Sequence, residues 1–510
     1  MMGILRTILF AATGLAATGA AFAQQTDSAS LFRTQREHAS PVAALAATAY
    51  ATPALRSEAF AGSLSEISVG YEMRREEKAL EQQKGDGGDF GRFSAGSYKH
   101  ISGKGTVWGD AGYLRGAKRN VVWNASSDYD LVFPYVVADS IGGDLTSEEY
   151  TFGGGYGHRS GRYTWALEAG ARALHEYRDS DPRIRNVAID IDAGAGASVR
   201  MGNYRLGLSA ALRVYKQSGS QIQYAHSAGE KGVYHLSGLG SHYAGFEGNA
   251  NSQTRYRGSG YGLTLALVPD AGRGGLHLAA GYEYLHIEKE LPGSADLVLQ
   301  KVVPRSFHAE AAWLRGSGNG LRWGVALKAR YDYRRGDEGI VDDNNSSQGS
   351  GTLGFLTLFE YSALQGRAEA VFGVEAAGHA WYVCPWGEYR RRTSDYLYPA
   401  QNMEFTRAGG GVDFRCVLQR RSLLLRLEAG GGYTAGLDSG LTLPVADLAA
   451  PLVRMVQYDY GRLRQDAATF RLGLRADYAL RRRMSLFLAA DYGGGLYGDN
   501  TAAHHARGAC

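Results

Sequence analysis

Cysteine is almost absent from this 510-residue chain, which holds only Cys384, Cys416 and Cys510. An odd, sparse set is no disulfide framework. Cys384 and Cys416 fall at opposite ends of what reads as one hairpin, too far apart for disulfide geometry, and are expected as ordinary buried or lipid-facing residues. Proline is scarce as well, at 11 residues, which suits a strand-rich chain because proline is poorly tolerated inside sheets. Neither sign of charge dominates: a formal net charge of +4 supplies no basic stripe of the kind that marks a nucleic-acid partner, and none is expected. Beyond the first residues no run of about 20 apolar residues exists, so no transmembrane helix is available.

Those first residues, MMGILRTILFAATGLAATGAAFAQQ, carry one basic residue at Arg6, an apolar run and the small-x-small pattern of Ala21, Phe22 and Ala23. They read as a secretory signal peptide over residues 1–23, with the mature chain beginning at Gln24. Export without a helical anchor leaves the periplasm, secretion or the outer membrane.

What is plentiful is glycine, at 70 residues, and tyrosine, at 32, set in a strict alternation. In LRWGVALKARYDYRR, residues 321–335, Leu321, Trp323, Val325, Leu327, Ala329, Tyr331 and Tyr333 share one face, while Lys328, Arg330 and Asp332 lie on the other. Period two is a strand, and at roughly 3.3 Å per residue this one is long for a soluble sheet. The pattern recurs in RYTWALEAGARALHEY, YRLGLSAALRVY, LHLAAGYEYLH and FRLGLRADYALR. About seventeen such segments of roughly 10–16 residues follow from Leu64 onward, the length class of tilted membrane-spanning strands.

The connections alternate in length. Short ones lie near His100 to Lys104, Ser160 to Gly161, Gly202 to Asn203, Asp270 to Gly275, Gly316 to Gly320, Leu364 to Gly366, Gln419 to Arg421 and Arg481 to Arg483. Long ones lie near residues 116–146, 218–255, 335–349, 383–402 and 437–464. A secreted sandwich or solenoid would share the alternation but has no cause to sort its loops this way. The expected fold is therefore all-β: a transmembrane antiparallel β-barrel of about 16–18 strands with short periplasmic turns and long extracellular loops. It occupies residues 63–510. Residues 24–62 are too few for an independent domain of about 50 or more residues, and are expected as a periplasmic lead or a segment threading into the lumen. A large plugged receptor is disfavoured on that ground. The segment MSLFLAADYGGGLYGDN is a good strand, but TAAHHARGAC reads as none, so either the count is off by one or the closing strand is lost after residue 500. His504 and His505 on that tail are read as incidental.

Candidate lumen-facing charges are Glu168, Arg172, Glu283, Glu310, Lys328, Arg330, Asp332, Arg426, Glu428, Arg475 and Asp477. Both signs occur, which fits a weakly selective aqueous channel or a lumen closed by ion pairs. The loop RNVVWNASSDYDLVFPYVVADSIGGD offers Trp123, Asp128, Asp130, Tyr135, Asp139 and Asp144 as binding candidates for a cation or a sugar-like ligand. It would fold into the lumen or cover the mouth; the plainer reading is an ordered loop packing its own aromatics. GLGSHY near Ser241 and GSGYG near Ser259 read as glycine-rich loop text rather than a nucleophile elbow. No catalytic constellation, metal-ligand pattern or cofactor motif is present, so no enzyme, metal or cofactor is expected.

In VVWNASSDYDLVFPYVVADSIGGDLTSEEYTFGGGYGHRSGRYTW and YHLSGLGSHYAGFEGN the chain resembles a family of uncharacterised outer-membrane β-barrel proteins of Bacteroidota, a domain of unknown function. The resemblance spans nearly the whole mature chain. It implies an outer-membrane barrel of a Gram-negative gut-type bacterium and carries over no substrate and no catalytic residue. It also implies a final strand ending in Phe, from which this chain departs after Asn500. The expected function is a porin-like channel or accessory barrel for uptake of small hydrophilic solutes, with outer-membrane lipid and a transport or surface partner protein as partners. The alternative is a non-conducting surface scaffold that binds a partner protein or ligand through its long loops.

Overall fold

Alternating side chains satisfy lipid on one face and a polar lumen on the other only if every strand edge is paired, which a closed barrel achieves. The computed structural model describes residues 28–223, 233–243, 253–270, 274–292, 297–316, 319–341, 352–444, 450–481 and 483–510. The signal-peptide reading of residues 1–23 lies outside them. In chain order the strands are β1 (Leu64–Glu76), β2 (Gly87–His100), β3 (Gly105–Val121), β4 (Val137–Asp139), β5 (Gly143–Ser160), β6 (Tyr163–Tyr177) and β7 (Arg183–Met201). Next come β8 (Tyr204–Gln223), β9 (Val233–Gly238), β10 (Ser241–His242), β11 (Thr254–Pro269), β12 (Gly275–Leu291), β13 (Leu297–Arg315) and β14 (Gly320–Val341). The last are β15 (Thr352–Glu375), β16 (His379–Tyr396), β17 (Gln401–Arg420), β18 (Leu423–Thr442), β19 (Ala467–Arg481), β20 (Met484–Tyr497) and β21 (Ala502–Ala509). All except β4, β9 and β10 form one closed antiparallel sheet of 18 strands.

The wall obeys the alternation. Leu321 is 66% exposed and Leu327 62%, whereas Ala326 between them is 5% exposed against the interior. Outward aromatics gather near both rims, with Trp165, Trp313 and Trp381 towards the short turns and Tyr71, Tyr150, Tyr261 and Tyr331 towards the long loops.

Three expectations are corrected. β15 runs unbroken through residues 364–366, so no turn lies there; Gly366 and its polar neighbour Gln365 only imitate one. Most of residues 383–402 is strand, β16 and β17 being joined by residues 397–400; the arginine run of EYRRRTSDY hides the period. TAAHHARGAC is the closing strand: β21 pairs with β1 from Gly70↔Ala509 to Glu76↔Ala503, and with β20 from Ala489↔Ala509 to Leu496↔Ala502. Its alanines leave no apolar signal to read. Because β21 is short, no ladder joins β1 to β20 below Val69; there Arg475 reaches Glu66 at 2.7 Å, and Gln35 donates to the Ser485 hydroxyl at 3.1 Å. Cys384 and Cys416 are free, on neighbouring strands whose register sets Cys416 beside Trp381 rather than beside Cys384.

The lumen is filled from both ends. Helices α1 (Ser28–His38), α2 (Pro41–Ala44) and α3 (Pro53–Arg56) enter from the short-turn side. Pro41 and Pro53 open α2 and α3, where a missing N–H costs nothing, and the Ser40 hydroxyl caps α2 by accepting from Ala43 N at 3.3 Å. Phe32, Val42, Leu45 and Ala46 pack on Ala312, Leu314, Ala326, Val371, Tyr382 and Val417 of the wall, while Leu55 packs on Ala266, Val268 and Ala279. The described part of residues 24–62 thus packs on the inner wall as a small plug. At the other end residues 122–142, with α4 (Tyr129–Val132), turn inward as a lid. Val132, Tyr135 and Val136 there join Tyr215, Tyr256, Ile287, Phe359 and Met403 of the wall. The two longest early loops are stitched together by β4 and β9, with Val137 opposite His235 and Asp139 opposite Val233. Helix α5 (Pro451–Leu463) completes the lid with Leu452, Met455 and Val456.

Candidate functional site

Between plug and lid lies a cavity of about 840 Å³. It exists because the wall from β5 to β12 presents glycine or alanine at many inward positions. One row across the strands reads Gly155, Glu168, Gly194, Ala211, Gly262, Glu283, each paired to the next. The adjacent row reads Gly153, Gly170, Asp192, Arg213, Gly260. Long charged side chains thus lie over bare backbone: a Cβ on Gly170 would meet Asp192 Oδ1 at 2.6 Å, and one on Gly155 would meet the Trp108 ring at 2.4 Å. GSGYG, read from sequence as loop text, is part of β11 and supplies this inner surface through Gly258, Gly260 and Gly262. FGGGYG of β5 and AGAGA of β7 do the same. Glycine spaced by two within a strand was the available signal.

The sequence-selected charges divide into three places. Glu168, Arg172, Glu283, Arg330 and Asp332 line the central chamber. Glu310 and Lys328 lie at its floor, 3.8 Å apart, with the Thr48 hydroxyl of the plug donating to Glu310 at 2.7 Å. Arg426, Glu428 and Arg475 line a separate cavity of about 250 Å³ beside the seam, and Asp477 is tied there to Arg475 at 2.9 Å and to Gln35 at 3.2 Å. Sequence reasoning missed Asp110, Asp190, Asp192, Arg213, Arg334 and Arg392, which also line the chamber, together with Arg56 from the plug.

The loop candidates are not one cluster. Asp128 accepts from Arg172 at 2.6 Å and from the Tyr215 hydroxyl at 3.0 Å, pinning the lid to the wall. Asp130 reaches the chamber and pairs with Lys84 at 2.8 Å. Trp123 and Tyr135 are buried in lid packing, and Asp139, fully buried, holds Arg178 at 3.4 Å and accepts from the backbone of Ile141 and Gly142. Asp144 accepts from Asn120 N at 2.9 Å at the rim. Burial thus takes Trp123, Tyr135 and Asp139 out of any ligand-contacting set, and the aromatic-packing reading of the loop accounts for them.

Electrostatics knit the roof. Arg334 donates to the carbonyls of Phe133 and Asp130, the latter at 2.8 Å, and lies over the Tyr361 ring. Burial pushes the Glu81 carboxyl up, but Arg392 at 3.5 Å and Lys84 at 2.7 Å outweigh it and hold the group below its ordinary value. Burial also pushes the Asp459 carboxyl of α5 up to about 7, with Glu81 adding to the effect against the hydrogen bond from Gln82 N at 3.1 Å. The chamber is thus a polar, partly aromatic space closed by two apolar packings, able to hold a small hydrophilic molecule by multiple hydrogen bonds.

The profile of a family described as "Family of unknown function (DUF6850)" matches residues 53–508. No curated protein matches the chain. Among solved structures it is similar to BauA, the ferric preacinetobactin receptor from Acinetobacter baumannii, at 8% identity and a TM-score of 0.37, covering 88% of this chain and 80% of that one. It is similar to the ferric-catecholate import receptor Fiu from E. coli K12 at 8% identity and a TM-score of 0.35, covering 87% and 81%. It is similar to CdiB from Acinetobacter baumannii at 8% identity and a TM-score of 0.34, covering 88% and 60%. The functional reading is carried by the chamber's own residues.

Proposed function

The chain belongs to this family of unknown function, DUF6850, and from the chamber we propose that it is a gated outer-membrane barrel for uptake of a small hydrophilic solute. The observation that carries the reading is a cavity of about 840 Å³ held between a plug and a lid and lined by both signs of charge. A barrel serving only as a scaffold has no need of glycine at position after position of its inner wall. An 18-stranded barrel is wide enough to leave an aqueous path once its contents move. In the resting state plug and lid block that path, so this is a closed transporter rather than an open porin.

Single-channel recording in a planar bilayer tests the proposal. The intact refolded protein should be mostly silent, and the protein opened at both ends, with residues 28–62 deleted and lid residues 122–142 replaced by a short linker, should give stable conductance steps. Silence from both proteins, with heat-modifiable folding confirmed, would reject transport in favour of a non-conducting scaffold displaying its long loops.

A further inference from the structure

The chamber's charges are unevenly matched. Arg172 is held by Asp128 and Glu149, Arg213 by Asp190 at 2.6 Å, Arg330 by Asp332 at 2.9 Å and Arg392 by Glu81 at 3.5 Å. Asp110, Asp192 and Glu283 also line the cavity, and among the described residues none of them makes an ion pair. Among the described residues Arg305 and Arg334 across the chamber likewise make no ion pair, and Glu283 faces Arg213 and Arg330, but Asp110 and Asp192 lie on the Trp108 and Glu168 side of the wall, where they favour a positive guest and disfavour an anion.

A second, independent feature points the same way. Arg56, the last residue of α3 in the plug, extends its guanidinium into the chamber over the ring of Trp108, 5.7 Å from its centroid, with Glu168 at 3.8 Å. An aromatic face beside a carboxylate is the arrangement that recognises organic cations. Arg56 fills it loosely: its side chain keeps 44% of its exposure and its contact with Glu168 is longer than a hydrogen bond.

We infer that the chamber receives a small organic cation bearing a guanidinium or primary amine, which replaces Arg56 at Trp108 and Glu168 and is neutralised by Asp110 and Asp192. This rests on the gated-uptake reading and names its solute class. Because Arg56 belongs to the plug, whose Ala54 and Leu55 are buried next to it, a guest that takes its place binds the plug-displaced state better. Solute binding and plug release are then linked reciprocally.

The test is calorimetric titration of the refolded full chain in detergent with agmatine, and with glucose as a neutral probe of similar size. Agmatine should bind and glucose should not. Asp192→Asn should weaken agmatine at least about tenfold, the worth of one charge-assisted contact. Arg56→Gln should strengthen it by about the same factor by removing the internal competitor, while Arg56→Lys stays near the parent. Heat-shifted mobility on gels confirms each variant's fold, and Asp110→Asn replaces Asp192→Asn if the latter does not fold. Equal binding of glucose, or weaker agmatine binding in Arg56→Gln, overturns the inference. Agmatine binding without any conductance from the protein opened at both ends sinks the transport reading and leaves the site standing; conductance without agmatine binding does the reverse.

Discussion

Arg172 is the residue on which lid and wall meet. It pairs with Asp128 of the lid at 2.6 Å, with Glu149 of β5 at 3.3 Å and with Asp190 of β7 at 3.9 Å. Arg172→Ala would leave Asp128 and Glu149 without their cation, while Arg213 keeps Asp190. It should destabilise the folded barrel by about 2–3 kcal/mol, below the cost at a fully buried pair because the side chain keeps 24% of its exposure. The denaturant midpoint in micelles measures this, and an unchanged midpoint would mean that Asp128 is held by the Tyr215 hydroxyl alone. At this scale the sequence is readable in one respect only. Alternation identifies Glu168, Arg172, Glu283, Arg330 and Asp332 as inward, because the face of a strand residue follows from its parity. Parity says nothing of which charge finds a partner, and the mix of acids and aromatics that offered Trp123 and Asp139 as loop candidates does not show that the fold buries them.

Among the elements, the lid helix α5 carries a titratable contact. Asp459 has its pKa raised to about 7 by burial, against an ordinary 3.8. A raised acid binds its proton more tightly when folded, so stability falls as pH rises through the interval between these two values and levels off above it. Through Asp459, lid packing should therefore be firmest below the ordinary value of 3.8 and loosest above about pH 7, where the ionised carboxylate meets Glu81. Limited proteolysis of residues 450–466 as a function of pH reads this, and Asp459→Asn should flatten the profile; a profile unaltered by the substitution would assign the dependence elsewhere. Strands were legible wherever apolar side chains marked the period. β21 was not, because alanine, glycine and histidine mark neither face, and its pairing is imposed by the two strands it joins. The inward folding of residues 122–142 was open in the sequence as one of two outcomes. What decides it is packing with residues hundreds of positions away, such as Phe133 against Phe359 at 5.5 Å between centroids, which no local pattern records.

For the whole molecule, the closure of the barrel is uneven. Above Val69 the seam is a β-ladder through β21; below it Glu66 of β1 reaches past β20 to Arg475 of β19 at 2.7 Å, and Gln35 of the plug holds Ser485 of β20 at 3.1 Å. Glu66→Gln should lower the temperature of the heat-induced gel shift by a few degrees, in keeping with loss of about 1 kcal/mol from a half-exposed pair in a large chain. No shift would mean that the plug, through Gln35, carries the lower seam unaided. The barrel class and the loop asymmetry were evident from sequence because they follow from strand period and spacing; the contents of the lumen were not, since glycine-lined walls look alike whether empty or occupied.

A tube laced along only part of one edge has a girth fixed at its outer rim and adjustable at its inner one. The plug occupies the adjustable end, so a small widening of the lower wall loosens its packing all round without disturbing the lid. In the proposed uptake cycle, exit of the plug and opening of the mouth would then be mechanically separate events, as in an airlock with one rigid door and one that yields.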